Sequence, residues 1–301
     1  MRASPVDLSS IARPSGAFAM VAADQRESLR TIYRDGTGIL VGDEVLRAFK
    51  RAVARVLSPH ASAILLDRLY GLRPDLRAEE VDPDCGLIIA ADSLVQLPGE
   101  PVTDTDLDAG LDPVVARTAG AVALKLLVIW RDDAERDRRQ RLAGGFIELC
   151  RGSGLISIVE AIVRRPVGSA GQWDREAAAR EAAREMGALK PDLYKAEMPF
   201  LGQAEASVMA DASRQLSEAA GGPWVVLSAG VPSDRFESAV EAACQGGASG
   251  FLAGRAIWSD AVSIERVEQR LTEVSVPRLE RLGALVDRMA RPWWDTRSHE
   301  Q

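Results

Sequence analysis

The chain has 301 residues, of which 47% are hydrophobic and 27% charged, as in an ordinary globular protein. Its formal net charge is -7 and no basic block occurs, so the sequence does not favour binding to nucleic acid or to an anionic membrane. The N-terminal segment lacks the apolar core of a signal peptide, and no apolar run approaches the length of a membrane span. We therefore expect a soluble, cytoplasmic protein.

Eight strand-like apolar runs recur along the chain, separated by amphipathic segments rich in Ala and Arg. The runs cover residues 16–24, 61–67, 85–92, 121–130, 154–163, 192–199, 223–230 and 247–255. Because most of them are apolar without interruption, they are typical of parallel strands buried on both faces rather than of half-exposed antiparallel strands.

Helical patterns lie between most of these runs. They cover residues 42–57, 132–150, 174–186, 203–220 and 233–247, and two more at 259–273 and 277–291 follow the last run. Strand-helix alternation of this kind predicts an α/β fold, a single (β/α)8 TIM barrel over residues 1–301 with short extensions at both ends. The connection at 68–83 is too broken to predict a helix. An open doubly wound sheet is the alternative, but no GxGxxG turn follows the first run.

Polar side chains fall at the carboxyl ends of the predicted strands, where barrels of this kind carry their active sites. They are Asp24, Gln25, Asp67, Asp92, Lys125, Glu160, Lys195, Glu197, Ser228 and Arg255. The chain has only four lysines, and two of them, Lys125 and Lys195, lie inside predicted strands. This pattern predicts a site in which two buried lysines meet a carboxylate.

Two lysines and a carboxylate suit Schiff-base chemistry. A lysine amine attacks a ketone only when it is neutral, so its pKa has to fall from about 10.4 to roughly 7–8, and burial or a second ammonium nearby can lower it. We expect Lys195 to be the nucleophile, Lys125 its charged neighbour and Glu160 the group that transfers protons. The alternative is that both lysines are structural, buried in ion pairs with Glu160 and Asp24.

Turns that contain glycine follow the seventh and eighth predicted strands, in the segments LSAGVP (227–232) and LAGRAIW (252–258). Barrels of this class commonly bind phosphate there through backbone N–H groups, and Arg255 adds a charged, forked donor. The alternative is that the glycines only permit tight turns between strand and helix.

Metal chemistry of the zinc type is not favoured. The chain has only two histidines, His60 and His299, which excludes a three-histidine zinc site within one chain. The cysteines lack CxxC spacing and indicate neither a disulfide framework nor a zinc cluster. They are Cys85, Cys150 and Cys244.

The apolar pair Trp293 and Trp294 lies near the C-terminus, after the last helical pattern. Such a pair docks either on its own barrel or on a neighbouring subunit. On this basis we expect a homo-oligomer.

Six segments resemble the class I sulfofructosephosphate aldolases of sulfoglycolysis, the pathway that degrades sulfoquinovose, which are related to the class I tagatose 1,6-bisphosphate aldolases. They are AADQRESLR, LSPHASAILLD, ALKLLVIWR, GLISIVEAIV, DLYKAEMP and ASGFLAGRAIW. The resemblance runs from Ile11 to Met289. It implies a metal-independent barrel enzyme without a cofactor, a carbon-carbon lyase whose partner is a small sugar phosphate. That enzyme would cleave 6-deoxy-6-sulfofructose 1-phosphate to dihydroxyacetone phosphate and sulfolactaldehyde.

The resemblance also implies roles for single residues. Lys195 in DLYKAEMP matches the Schiff-base lysine, Lys125 in ALKLLV the second lysine, and Glu160 in IVEAIV the acid/base carboxylate. The expected substrate-binding residues are Asp24, Gln25, Arg26, Asp67, Ser228, Ala229, Gly230, Gly254 and Arg255.

The turn after the seventh strand departs from the sulfosugar pattern. It reads SAG, with Ala229, as in the tagatose relatives, whereas the sulfosugar aldolases have SSG there. An aldolase for tagatose 1,6-bisphosphate or another ketose bisphosphate is therefore the alternative, and a non-catalytic barrel that binds sugar phosphates is an alternative of another class. The two sugars differ in their distal anion, for which the sequence offers several arginines. They are Arg26, Arg30, Arg68, Arg164 and Arg165.

Overall fold

Ten strands form in the computed structural model, which describes residues 6–97, 100–168, 171–262 and 265–297; His299 lies outside these ranges. The strands are β1 (Phe18–Ala23), β2 (Ala63–Asp67), β3 (Gly86–Ala90), β4 (Asp92–Val95), β5 (Asp104–Leu107), β6 (Ala121–Trp130), β7 (Ile156–Val163), β8 (Leu193–Glu197), β9 (Trp224–Leu227) and β10 (Gly250–Ala253). Eight of them pair in parallel and close into a barrel in the order β1-β10-β9-β8-β7-β6-β3-β2. Each of the eight predicted runs contains one barrel strand, so the predicted fold is confirmed.

Helices surround this barrel. They are α1 (Glu27–Thr37), α2 (Asp43–Leu57), α3 (Pro113–Thr118), α4 (Arg136–Ser153), α5 (Arg175–Gly187), α6 (Ala206–Ala220), α7 (Phe236–Gln245), α8 (Arg255–Trp258), α9 (Val267–Arg270) and α10 (Val276–Met289). A π-helical turn, Leu271–Ser275, joins α9 to α10. As expected, no helix forms between β2 and β3.

Two local elements differ from the expectation. The helix α1 was not predicted; it ends at Gly38, whose φ of 73° is the left-handed conformation that stops a helix. The second element is the antiparallel hairpin of β4 and β5, which follows β3 directly. It attaches to the barrel where the Thr105 hydroxyl donates a hydrogen bond to the Leu127 carbonyl at 2.6 Å. This hairpin adds a wall at the carboxyl end of the barrel.

The barrel interior follows the two-residue period of its strands. Along β8, Leu193 points inward into the central apolar cluster, Tyr194 points outward into the layer between strands and helices, and Lys195 points inward again. The inner cluster consists of side chains from all eight barrel strands, and burial of each large member contributes roughly 1.5–3 kcal/mol. This apolar layer fills the half of the barrel nearest the N-terminal ends of the strands. The next inward-facing residues, two positions further along the strands, therefore face the mouth.

The N-terminal end of the barrel is closed by apolar residues from both chain ends. Leu8 and Ile11 belong to the inner cluster, and Trp293 packs against it. The ring of Trp294 covers Gly16 so closely that a Cβ there would lie 2.4 Å from a ring carbon. The tryptophan pair therefore docks on its own barrel, while Trp294 keeps 46% of its surface exposed. A homo-oligomer remains a prediction.

Two further expectations concern cysteines and membranes. The three cysteines are buried free thiols. Within the ranges that the structure describes, none of the helices combines the length and the apolar character that a membrane span needs.

Candidate active site

A cavity of about 540 Å³ opens at the carboxyl end of the barrel strands. All but two of the predicted site residues line it. Those that do are Asp24, Gln25, Arg26, Lys125, Glu160, Lys195, Ser228, Ala229, Gly254 and Arg255. The prediction that side chains from separate strand ends converge on one mouth therefore agrees with the geometry.

Lys195 lies on β8 directly opposite Glu160 on β7, since the two residues are register partners in the parallel ladder. The Lys195 Nζ donates a hydrogen bond to Glu160 Oε2 at 3.0 Å. Only 4% of Lys195 and 7% of Glu160 is exposed to solvent. Pro199, which has no backbone N–H to donate, starts the 3-10 turn just beyond the strand. The amine is therefore held inside the cavity beside a carboxylate.

Lys125, on β6, is the second lysine of the site and only 1% exposed. Its Nζ lies 2.7 Å from Asp24 Oδ2, 2.8 Å from Asp92 Oδ2 and 3.2 Å from Glu160 Oε2. Although burial alone would lower it, these carboxylates hold the pKa of Lys125 well above its usual value. Burial likewise opposes ionisation of Asp24, but the charges of Lys125 and Lys195 bring the pKa of Asp24 below its usual value. The carboxylates therefore stabilise the charged form of Lys125.

The two lysines meet at one atom. Both Nζ groups contact the same oxygen, Glu160 Oε2, at 3.0 Å from Lys195 and 3.2 Å from Lys125. The ion pairs expected if both lysines were structural are thus present, but the two lysines have different carboxylate neighbours. Lys125 is compensated by three carboxylates, whereas the one ion pair of Lys195 within the described residues is with Glu160. The two lysines therefore differ in how many carboxylates surround them.

Asp92 lies in the site, although it was predicted only as a polar strand-end residue and not among the expected catalytic or substrate-binding residues. Besides Lys125, its carboxylate accepts a hydrogen bond from the Leu127 backbone N–H at 3.1 Å and one from Arg26 Nη2 at 3.1 Å. It is the first residue of β4, so the unpredicted hairpin fixes its backbone. Its signal in the sequence was visible, because Asp92 ends a predicted strand just as Asp24 does.

Two predicted residues do not line the cavity. Asp67 is fully buried and forms an ion pair with Lys50 of α2, a third buried lysine that sequence reasoning did not single out. Its other oxygen lies 4.0 Å from Arg26 Nε, so Asp67 contacts the cavity wall only through Arg26. Gly230 lies in an exposed turn with a φ of 78°, beyond the cavity. The sequence did indicate that Lys50 is buried, because it lies on the apolar face of the helix predicted over residues 42–57.

The ends of β9 and β10 form a compact polar corner. The Gly254 N–H donates to Ser228 Oγ at 3.3 Å, and the Ala256 N–H lies 3.5 Å from the same oxygen. A Cβ at position 254 would lie 2.6 Å from the Ala22 carbonyl oxygen, so only glycine fits there. The Arg255 side chain makes no hydrogen bond or ion pair with any residue that the structure describes. Its guanidinium is available to an anion bound in this corner.

Most candidate arginines for the distal anion point elsewhere. Arg30 is bound to Glu27 and Asp43, Arg68 to Asp108, and Arg165 to the Gly171 carbonyl. Arg26 and Arg164 line the cavity.

A parallel barrel whose mouth holds two buried lysines joined through one carboxylate has the features of a class I aldolase. The model of the DeoC/LacD family aldolases matches residues 18–260, so the chain belongs to this family. Among curated proteins, tagatose 1,6-diphosphate aldolase of Listeria monocytogenes serotype 4a (strain HCC23) is 28% identical over 95% of this chain and 92% of its own length. Tagatose 1,6-diphosphate aldolase 2 of Streptococcus pyogenes serotype M1 is 27% identical over 92% and 93%.

Solved structures agree on the fold. Fructose-bisphosphate aldolase of Plasmodium falciparum superposes with a TM-score of 0.67 at 14% identity, covering 94% of this chain and 93% of its own. An archaeal fructose 1,6-bisphosphate aldolase gives a TM-score of 0.62 at 16% identity, covering 92% and 96%. The expected enzyme class is confirmed by the family: the protein is a class I aldolase, a carbon-carbon lyase.

Proposed function

We propose that the enzyme cleaves a ketose 1-phosphate that carries a second anion at its far end, and that this substrate is 6-deoxy-6-sulfofructose 1-phosphate. The products would be dihydroxyacetone phosphate and sulfolactaldehyde. The observation that carries the proposal is the contact of Lys195 and Lys125 with one oxygen of Glu160 inside the cavity. The polar corner at Ser228 and Arg255 would hold the 1-phosphate.

In the first half of the reaction, Lys195 passes a proton to Glu160 across their 3.0 Å hydrogen bond and becomes a neutral amine. The amine attacks the C2 ketone, and a proton moves from nitrogen to oxygen to give the carbinolamine. Glu160 returns its proton to the departing hydroxyl, water leaves, and a cationic Schiff base forms on Lys195. Lys125 keeps its charge throughout and stabilises the Glu160 carboxylate each time it forms.

In the second half, the ionised Glu160 takes the proton of the C4 hydroxyl. The C3–C4 bond breaks, its electron pair moves into the Schiff base to form an enamine, and the aldehyde departs. Glu160 then protonates C3, and water hydrolyses the resulting Schiff base to release dihydroxyacetone phosphate and restore Lys195. Each proton that Glu160 accepts is returned in a later step, so a single carboxylate serves the whole cycle.

Charge in the cavity supports a sulfonate as the second anion. Among the described residues, three arginines line the cavity, and Arg26 is already paired with a buried carboxylate, which leaves Arg164 and Arg255 for two anionic ends. A sulfonate has one negative charge, whereas a phosphate ester has about -1.5 to -2 at neutral pH. Asp35 and Glu100 also line the cavity and oppose a dianion more strongly than a monoanion. One free guanidinium therefore balances a sulfonate better.

A second candidate substrate is tagatose 1,6-bisphosphate, because the curated relatives at 28% and 27% identity are named tagatose 1,6-diphosphate aldolases. The two sugars can be compared by kcat/KM in an assay that couples dihydroxyacetone phosphate to NADH oxidation. We expect the sulfosugar to be preferred by roughly 5- to 10-fold, since one uncompensated charge at contact distance costs about 1 kcal/mol even in water. An equal or opposite preference would assign the enzyme to the bisphosphate.

Chelation is expected to leave activity unchanged. The proposed cycle uses only an amine and a carboxylate, and no step requires a Lewis acid. The measurement is the rate of cleavage after prolonged dialysis against EDTA, with a zinc-dependent aldolase treated in parallel as the positive control. Loss of activity that added zinc restores would refute the Schiff-base cycle.

A further inference from the structure

We propose that Arg164 binds the anionic group at the end of the substrate remote from the 1-phosphate and so makes the enzyme prefer a charged aldehyde. The inference rests on the proposed aldol cleavage and adds to it the residue that recognises the aldehyde half. The chemical class of the bound group is a tetrahedral anion with several acceptor oxygens, a sulfonate or a phosphate ester.

Arg164 and Arg255 lie on opposite sides of Lys195. Arg164 follows Val163, the last residue of β7, and lies four residues beyond Glu160 in the chain. Arg255 follows β10, and the ring order places β8 and β9 between the two strands that carry these arginines. Lys195 therefore stands on the wall between the two guanidinium groups. A substrate bonded at C2 to Lys195 would extend one end toward Arg255 and the other toward Arg164.

The charge of Arg164 has no ion-pair partner among the described residues. Its side chain makes one hydrogen bond, from Nη1 to the Val163 carbonyl at 3.1 Å, and no ion pair within the ranges that the structure describes. Burial lowers the pKa of Arg164; the Glu197 carboxylate opposes that change, and nearby Arg175 reinforces it. A half-buried guanidinium in a cavity is costly unless an anion neutralises it. Bound substrate would supply that anion.

A second cation lies beside Arg164. Arg131 follows β6, and because Trp130 and Val163 are register partners, Arg131 stands next to Arg164 on the rim. Its Nη1 donates to the Thr103 carbonyl at 2.9 Å, and its buried Nε has no hydrogen-bond partner. It also forms no ion pair among the described residues. Arg131 is not among the described residues that line the cavity, so Arg164 is the one guanidinium on this side that can contact the anion, and Arg131 adds to the positive field behind it.

The test uses aldol addition, in which the enzyme joins dihydroxyacetone phosphate to an aldehyde. Three acceptors are compared: sulfolactaldehyde, glyceraldehyde 3-phosphate and uncharged glyceraldehyde. The variant Arg164→Met removes the charge at similar length, and Arg165→Met is the matched control because Arg165 is exposed and lies outside the cavity. We expect Arg164→Met to lower kcat/KM for the two charged aldehydes by roughly 10- to 100-fold, mainly through KM. Glyceraldehyde should react as in the wild type.

The outcomes separate this inference from the proposed function. Equal loss on charged and uncharged aldehydes, or no loss on any of them, would overturn the assignment of Arg164. A parallel reaction with dihydroxyacetone phosphate and borohydride should label Arg164→Met as fully as wild type, which shows that the lysine site is intact. If wild type itself acquires no label, the proposed function fails and the assignment falls with it. The relative losses on the sulfonate and the phosphate show which anion the arginine serves.

Discussion

Lys195→Ala is expected to abolish aldol cleavage, lowering kcat by about 10⁴-fold or more, because the covalent route is lost. Lys125 cannot take over as nucleophile, since its three carboxylate neighbours hold its pKa well above the usual value and keep it protonated. Activity is measured as release of dihydroxyacetone phosphate. Borohydride reduction in the presence of that product should add covalent mass to the wild type and none to the variant.

The control for this experiment is Lys190→Ala, an exposed lysine five residues earlier in the chain. It should retain full activity and full labelling, which shows that loss of a lysine alone does not matter. Lys195→Ala should also remain folded, because Glu160 keeps its contact with Lys125 at 3.2 Å. An undiminished adduct in Lys195→Ala would place the Schiff base on another lysine and refute the assignment.

The fold was predictable because its strands carry a strong and repetitive signal. In runs such as 85–92 and 154–163, apolar residues occupy both alternating sets of positions and polar residues are few, which is typical of parallel strands buried on both faces. The hairpin of β4 and β5 lacked the signal. Strand β4 of this hairpin has the sequence DSLV, with one buried residue out of four. Its pattern of hydrophobic residues therefore does not distinguish it from a loop. Its antiparallel pairing depends on contacts with the barrel wall.

The direction of a site side chain was predictable wherever it follows from the alternation of inward-facing and outward-facing residues along a strand. Lys195 and Glu160 follow inward-facing apolar residues by two positions, so the sequence alone aims them at the mouth. Asp67 has the same parity, yet its carboxylate is bound by Lys50, which reaches it from a helix. Sequence reasoning could not pair these two residues, because the approach of α2 to the end of β2 is a tertiary contact. The sequence therefore predicted the face to which a strand side chain points, but not the residue with which it forms an ion pair.

The different environments of the two lysines explain how a buried cluster of like charges can be both stable and reactive. Lys125 and its carboxylates form a buried charge network, in which the pKa of Lys125 is raised and that of Asp24 is lowered. Among the described residues, Lys195 forms an ion pair with one member of that network, Glu160, so a proton exchange between these two leaves the other ion pairs of Lys125 in place. The residue that supports the fold and the residue that would perform the chemistry are therefore separate.

Lys125→Met is expected to reduce the free energy of unfolding by about 3–5 kcal/mol near neutral pH, because it leaves buried carboxylates without their cation. Asp24 is affected most: Lys125 is its ion-pair partner among the described residues, whereas Asp92 keeps Arg26 and Glu160 keeps Lys195. Urea unfolding followed by circular dichroism measures the loss. Cleavage activity should fall as well, since Glu160 loses the charge that stabilises its ionised form.

The pH dependence identifies the cause of that loss. In the wild type the folded pKa of Asp24 lies below its unfolded value of about 3.9, so its contribution to stability is present above that pH and is lost as pH falls. The raised pKa of Lys125 keeps its own contribution constant at every pH below about 10.4. Without Lys125, burial raises the folded pKa of Asp24 instead, and the variant regains stability as pH falls from 8 to roughly 5. The difference from wild type should therefore shrink over that interval.

A double variant, Lys125→Met with Asp24→Asn, supplies the control. It removes the stranded charge together with its partner, so it should be more stable than Lys125→Met alone and should lose most of the pH dependence. A stability loss that is independent of pH and unchanged by Asp24→Asn would mean that Lys125 contributes through packing. In that case the description of Lys125 as the compensating charge of the site would be wrong, and the division of roles between the two lysines would have to be abandoned.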